Sequence, residues 1–272
     1  MASARRIIFS ICIYRVIIEF VGRLFMLKAT IDADIFRESI DAIAALVTEC
    51  RMHVEPDRIF TRAVDTANVA MVSLQLKKEA FETYQATKEE MGLDIAKLKN
   101  MLGMMSKGDR LNLTLPESGH RIEMAFNRYR YAITLLDVNT IRKDPNPPTI
   151  ELPGKVILSG DALQSAIKAA TVVSDKIALG IDPENKFFYM VAEGDTDHIR
   201  LELGQNEVES LTLVEVRSLF SLDYLKDMGR VMGKAEKVEI HLGVNHPVKF
   251  SFDIASGSGH IDYLLAPRIE AE

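Results

Sequence analysis

Four groups of residues have types and spacing that could support chemistry. His241 and His246, with four residues between them, would lie near one face of a helix and could share a metal. The surrounding run Val238-Glu-Ile-His-Leu alternates as a strand does, which turns the two rings apart. Asp195-Thr-Asp197 has the start of a calcium loop without the glycine or the terminal glutamate such a loop needs, and reads as a polar turn. Cys50 precedes His53 by three residues, but a buried thiol beside a surface imidazole accounts for that pair without a nucleophile. The glycines of Ser256-Gly-Ser-Gly259 fall between two strand-like runs, with no following helix whose N-terminus could hold a phosphate. The sequence therefore nominates no catalytic residue, no metal and no cofactor, and points to a binding or scaffold role.

The cations are more informative. Lys226, Arg230 and Lys234 recur every four residues, a column on one helix face, opposite the apolar set Tyr224, Leu225, Met228 and Met232. Lys97, Lys99 and Lys107 occupy the corresponding stretch of the first half, and Arg37 and Lys168 each project from the polar side of an earlier helix. Such a column can simply be a solvated face. Its recurrence in both halves of an acidic chain (33 Lys+Arg against 39 Asp+Glu, net −6) favours a surface that meets phosphates. Glu38, Asp41, Asp223 and Asp227 are interspersed, so the contact should be loose and without sequence preference. The acidic total rules out a protein that coats DNA with its whole surface.

The elements that must position these residues come in duplicate. A shift of 127 residues places Asp34 on Asp161, Ile40 on Ile167, Pro56 on Pro183, Phe60 on Phe187, Val64 on Val191 and Leu74 on Leu201. It also places Leu98-Lys-Asn-Met101 on Leu225-Lys-Asp-Met228. Each half reads as a short strand, an amphipathic helix opened by Asp34 or Asp161, alternating strands, a second helix and a closing hairpin. The second helix turns Ile95, Leu98, Leu102 and Met105 inward in the first half. Between the halves, Arg142 to Pro153 carries prolines 145, 147, 148 and 153, a stiff extended connector. The expected class is α+β, with two similar domains at 26–140 and 154–272 joined by a connector at 141–153. Residues 1–25 stand apart, with four arginines against one glutamate. Their apolar run Ile7–Tyr14 is eight residues long, where a membrane span needs about 20. They are expected to be an N-terminal extension outside the fold, and no membrane partner is expected. Two cysteines, Cys12 and Cys50, exclude a disulfide framework and suit a reducing compartment.

Four stretches carry a family resemblance: Ala63-Val-Asp-Thr-Ala-Asn-Val-Ala-Met-Val-Ser-Leu-Gln-Leu76 with Phe81, Met91-Gly-Leu-Asp-Ile-Ala-Lys-Leu98, Phe220-Ser-Leu-Asp-Tyr-Leu-Lys226 and Tyr263-Leu-Leu-Ala-Pro-Arg-Ile-Glu270. Residues 26–272 resemble the sliding clamp of archaeal and eukaryotic replication, the proliferating cell nuclear antigen family, with the archaeal type fitting best. Asn68 departs from the basic or His residue usual at its motif position, and Asp223 stands where relatives often have a cation.

The resemblance implies a homotrimeric ring of DNA-clamp domains, helices lining a central hole and antiparallel sheets outside. The DNA-facing set would be Arg37, Lys97, Lys99, Lys107, Lys168, Lys226, Arg230 and Lys234. Clients would dock in a groove formed by Val64, Asn68, Val69, Met71, Ile141, Leu264, Ala266 and Pro267. The strand carrying Tyr129, Tyr131 and Ile133 would pair edge to edge with that carrying Ile199 and Leu201 of a neighbour, covering both edges. The implied role is a non-enzymatic processivity factor that encircles double-stranded DNA through its phosphate backbone. It would tether DNA polymerase, flap endonuclease and DNA ligase, and be opened by a clamp loader. The expected location is the cytoplasm, at the nucleoid of an archaeal cell. The alternatives are a subunit of a heteromeric clamp, or an interaction module of the same fold that forms no ring. An enzyme using Asp195/Asp197 or His241/His246 comes third.

Overall fold

The computed structural model describes residues 25–117 and 119–269; the expectation for the N-terminal extension lies outside them, apart from Phe25. The first half runs β1 (Phe25–Asp32), α1 (Ala33–Ala44), β2 (Glu49–Glu55), β3 (Arg58–Val64), β4 (Ala70–Lys77), β5 (Thr83–Ala86), β6 (Glu89–Asp94), α2 (Ile95–Leu102), β7 (Arg110–Pro116), β8 (Arg121–Phe126) and β9 (Tyr129–Thr134). The second repeats that order: β10 (Gly154–Leu158), α3 (Gly160–Ala170), β11 (Lys176–Asp182), β12 (Phe187–Glu193), β13 (His198–Gly204), β14 (Ser210–Leu211), β15 (Val216–Ser221), α4 (Leu222–Met232), β16 (Val238–Leu242), β17 (Val248–Ile254) and β18 (Gly259–Leu265). Polar residues start three of the four helices by accepting an orphan backbone N–H: Asp32 from Asp34, Asp94 from Lys97 and Ser159 from Ala162. Asp34 and Asp161 sit inside the first turn, where a carboxylate faces the positive end of the helix.

The duplication is real, but its offset is not constant. The β2–β3 turn has two residues between the paired Glu55 and Arg58, whereas β11–β12 has four between Asp182 and Phe187. Phe60 therefore corresponds to Tyr189, and Val64 to Glu193. The matches of Phe60 with Phe187 and of Val64 with Val191 slip by two residues. The next hairpin reverses the difference, since Val64 and Met71 are separated by six residues and Glu193 and His198 by four. The register is back in step from β4 and β13 onward.

Among the described residues all strand pairings are antiparallel, in three sheets. Five strands run β5-β1-β7-β8-β9, four run β13-β12-β11-β15, and nine run β14-β10-β16-β17-β18-β4-β3-β2-β6. The largest sheet crosses the duplication: β18 of the second half pairs with β4 of the first from Gly259↔Leu76 to Leu265↔Ala70. The halves are thus fused through backbone hydrogen bonds. Tyr263, fully buried on β18, reinforces the seam by donating its hydroxyl to the Ala42 carbonyl of α1 at 2.8 Å.

The four α-helices of the described residues pack against the sheets and against one another, α1 against α2, α3 against α4, and α1 against α4 where the halves meet. Their apolar stripes, Phe36/Ile40/Ile43, Leu98/Met101/Leu102, Leu163/Ile167 and Leu225/Met228/Met232, lie in the core. Met105, beyond α2, is buried as expected. Tyr224 packs against the core from its edge. It is half-buried, with its hydroxyl turned to a carboxylate of the other half. Gly160 lets α3 approach α4, for a Cβ there would lie 2.0 Å from the Met232 carbonyl oxygen and 2.6 Å from that of Ala235.

Candidate nucleic-acid and partner interfaces

The uncovered side of the helix layer gathers most of the expected cations. Lys226 and Arg230 are exposed on α4, Lys97 and Lys99 on α2, Lys168 in the last turn of α3, and Lys107 on the turn after α2. Several are engaged at close range: Lys97 with Asp94 at 3.0 Å, Arg230 with Asp227 at 3.0 Å, Lys99 with Asp41 at 3.3 Å and Lys234 with Asp41 at 3.5 Å. Two expectations need correcting. Arg37 is no free cation: its guanidinium donates to the carbonyls of Leu102 (3.1 Å) and Met105 (2.8 Å) and meets Asp34 at 2.5 Å. It caps the C-terminal end of α2 and the turn after it, where the negative end of the helix attracts a cation. Lys234 is not on the helix: α4 ends at Met232 with Gly233 as its cap, and Lys234 follows in the turn beyond it.

The expected groove residues collect along the β4–β18 seam and the β3–β4 turn. Met71 pairs with Leu264, and the Ala266 amide donates to the Val69 carbonyl at 2.8 Å. Asn68 adopts φ 59°, a left-handed conformation that asparagine tolerates. The turn is organised by Asp65, 7% exposed, whose carboxylate accepts the amides of Val69 (2.7 Å), Ala70 (2.8 Å) and Ala67 (3.1 Å) and the Tyr224 hydroxyl (2.8 Å). Burial raises the Asp65 pKa, but those donors outweigh it and hold the carboxyl below its ordinary value. Burial and the bond to Asp65 together push Tyr224 up to about 12.

The connector is strapped across this sheet. Arg51 donates to the Ile141 carbonyl at 2.8 Å, Arg142 to the Asp65 carbonyl (2.7 Å) and Asn68 Oδ1 (3.0 Å), and His53 meets Asp144 at 2.7 Å. Two clefts flank it. A cleft of about 260 Å³ is lined by Val47, Ala63, Val64 and Ile141. One of about 350 Å³ lies between the connector residues Pro147, Pro148, Ile150 and Leu152 and the sheet residues Phe60, Met71 and Leu264. Ile141 is 5% exposed and serves mainly as an anchor: a Cβ on Gly92 would come 2.8 Å from its Cδ1. The sequence reading missed Phe60, Ile150 and Leu152. The proline run located the connector, but nothing local indicates which strands it covers.

Two of the sheet-end strands among the described residues carry the expected interface residues. β9 ends the five-stranded sheet and β13 the four-stranded one. Tyr129 and Tyr131 stand out from β9 at 65% and 43% exposure. Ile133 does not join them. At 3% exposure it packs inward, so only its backbone can serve an edge contact. Beside β13, a cleft of about 360 Å³ is lined by Ala162, Ala166 and Ala169 of α3 and by Ile199, Leu201 and Leu203.

Residues 26–144 match the family model described as proliferating cell nuclear antigen, N-terminal domain. The DNA polymerase sliding clamps of Methanosphaerula palustris and Methanoculleus marisnigri are 69% and 68% identical over 247 residues, which is 91% of this chain and all of theirs. The chain belongs to the DNA polymerase sliding clamp family. Among solved structures it is similar to A. fulgidus PCNA bound to the C-terminal region of FEN-1 (34% identity, TM-score 0.86, covering 91% of this chain and 100% of that one). PCNA from Thermococcus kodakaraensis shares the fold, with a TM-score of 0.82 at 24% identity over 89% of this chain and 100% of that one.

A sliding clamp is a processivity factor and not an enzyme, and the reactive-looking groups here have structural explanations. Cys50 is buried, which pushes its thiol up to about 12, far from a reactive thiolate. His241 lies on β16 paired with Glu239 at 2.5 Å, and His246 sits in the following turn with Nδ1 on the Val244 carbonyl at 2.5 Å. Asp195 and Asp197 are exposed in the β12–β13 turn. No group of three or more His, Cys, Asp or Glu residues could hold a metal among the described residues. A constellation the sequence reading overlooked, Ser251, His260 and Asp253, has the outline of a catalytic triad. His260 Nδ1 meets Asp253 at 2.7 Å, and Nε2 lies 3.4 Å from the Ser251 hydroxyl. However, Nε2 also faces Asp262 at 3.3 Å, and the serine donates to Asp262. The Asp262 bond raises His260 to about 9; partial burial opposes this and Asp253 adds to it. A protonated imidazole cannot act as a base at neutral pH, so this clamp carries an ion cluster there. No helix among the described residues is long and apolar enough to cross a membrane.

Proposed function

We propose that three copies of this chain close into a ring that double-stranded DNA threads, and that the ring tethers replication and repair enzymes to the duplex. One observation carries the reading. Within the chain, β18 joins β4, and the duplication makes β18 the counterpart of β9 and β4 the counterpart of β13. Joining β9 of one copy to β13 of the next repeats the internal junction between copies, with equivalent strands in the same order. The edges of β9 and β13 are then covered. Tyr129 and Tyr131 supply aromatic surface opposite the apolar cleft between α3 and β13, with Ile199 and Leu201 on its wall. In this reading the domains are 26–140 and 154–272, and the connector is 141–153.

The helices would then face the hole. Lys97, Lys99, Lys107, Lys168, Lys226, Arg230 and Lys234 would meet phosphates without reading bases, which allows movement along the duplex. Partners with a short aromatic-bearing motif would occupy the groove at Val64, Asn68, Val69, Met71, Leu264, Ala266 and Pro267, with Ile141 anchoring its rim. That A. fulgidus PCNA binds the C-terminal region of FEN-1 supports partner binding in general. DNA polymerase, flap endonuclease and DNA ligase are the expected partners, and a clamp loader opens the ring. The site of action is the nucleoid in the cytoplasm. The native mass of the purified chain tests the assembly. Three times the chain mass, falling to one for Tyr129→Arg/Tyr131→Arg, is expected. A monomer at micromolar concentration, or a ring formed only after mixing with a different clamp chain, would refute the homotrimer.

A further inference from the structure

The cationic helix face contains a carboxylate whose placement serves neither a helix cap nor the core. Asp41 lies on α1 near its end, half-buried, where α1, α2 and the turn after α4 converge. One oxygen lies 3.3 Å from Lys99 Nζ of the first half, and the other 3.5 Å from Lys234 Nζ of the second. Both lysines remain more than half exposed, so their ammonium groups are held at the surface and not buried. The three residues border a polar cleft of about 340 Å³ together with Asp227 and Arg230, which pair with each other. Glu38, one turn back on α1, feels the same charges: burial raises its carboxyl, Lys234 draws it down and Asp41 pushes it up.

We propose that Asp41 is a charge brake on the clamp's hold on DNA: it engages Lys99 and Lys234, so a phosphate must displace it to capture either lysine. This rests on the reading that the helix face lines the DNA hole. Exposed pairs of this kind are weak, and a phosphate can compete with them. An exchangeable contact is what a sliding ring requires. Two unopposed lysines at the same spot would instead grip the backbone, and each lysine that reached a phosphate would steepen the logarithmic salt dependence by about 0.9.

The test is the diffusion of fluorescent trimers loaded on a long duplex, followed over a range of salt concentrations. Asp41→Asn is expected to slow diffusion about three- to tenfold at low salt, with the difference vanishing as salt is raised. Asp41→Ser, which removes the charge with a different side chain, should do the same. Adding Lys99→Ala and Lys234→Ala to Asp41→Asn should restore wild-type mobility. Intact trimers of both Asp41 variants that diffuse at the wild-type rate in low salt would overturn the proposal. Lys226→Ala/Arg230→Ala separates the two levels of the argument. If that variant moves faster while Asp41→Asn changes nothing, the brake alone is wrong. If neither changes mobility, the helix face does not meet phosphates, and both readings fall.

Discussion

The bond between Tyr224 and Asp65 offers a sharp test of how the two halves are coupled. Tyr224 belongs to α4 in the second half, and Asp65 opens the β3–β4 turn of the first, 159 residues earlier. Tyr224→Phe deletes one hydrogen bond to a nearly buried carboxylate, and the lost interaction is worth about 1.5–2 kcal/mol. Asp65→Asn does more. An amide has one acceptor oxygen where the carboxylate has two, and its NH₂ must face one of the donors Val69, Ala70, Ala67 or Tyr224. About 3 kcal/mol should be lost. Because both changes remove the same bond, the double variant should be less destabilised than the sum, by about 1–2 kcal/mol. Urea unfolding at fixed protomer concentration, with all four proteins in one buffer, measures this.

The pH dependence gives a second readout of the same bond. Asp65 is held below its unfolded value of 3.8, so its stabilisation is present above that pH and is lost as pH falls through the lower folded value. The gap between wild type and Tyr224→Phe should accordingly narrow in acid. Strict additivity of the two substitutions, or a gap that does not change with pH, would show that the hydroxyl and the carboxylate do not act as a pair.

Two further outcomes are expected. His260, raised to about 9 between Asp262 and Asp253, should give a stabilisation that is complete below its unfolded value of 6.5 and disappears as pH rises through about 9. With the imidazole half exposed, the effect should stay under about 1 kcal/mol, and an NMR titration of the ring giving an ordinary histidine midpoint would contradict it. Gly160→Ala should cost about 2–3 kcal/mol, because the added methyl meets the rigid carbonyls of Met232 and Ala235 and forces α3 away from α4. An unchanged thermal midpoint for that variant would mean that the close approach does not constrain the helices.

The sequence alone determined what depends on neighbours along the chain. Periodicity located both helices of each half, alternation located the strands around His241 and Ile199, and the prolines located the connector. Internal similarity disclosed the duplication, and the motif stretches supplied the family. Each of these signals is written in a few consecutive residues or at a constant spacing.

Only the tertiary structure decided which long side chains were free and which edges were occupied. Arg37 and Lys226 look equivalent in sequence, yet one is bound to the end of α2 while the other stands exposed. Ile133 and Tyr131 stand two apart on one strand and so share a face of the sheet, but only Ile133 is covered by the core while Tyr131 stays exposed. The fusion of the halves through β18 and β4, the offset shift hidden in two hairpins, and the meeting of Asp41 with lysines of both halves all depend on contacts between residues far apart in the chain. Composition and periodicity describe a residue's neighbours along the backbone. The partner of a carboxylate or a strand edge is set by how whole elements pack, which local pattern does not encode.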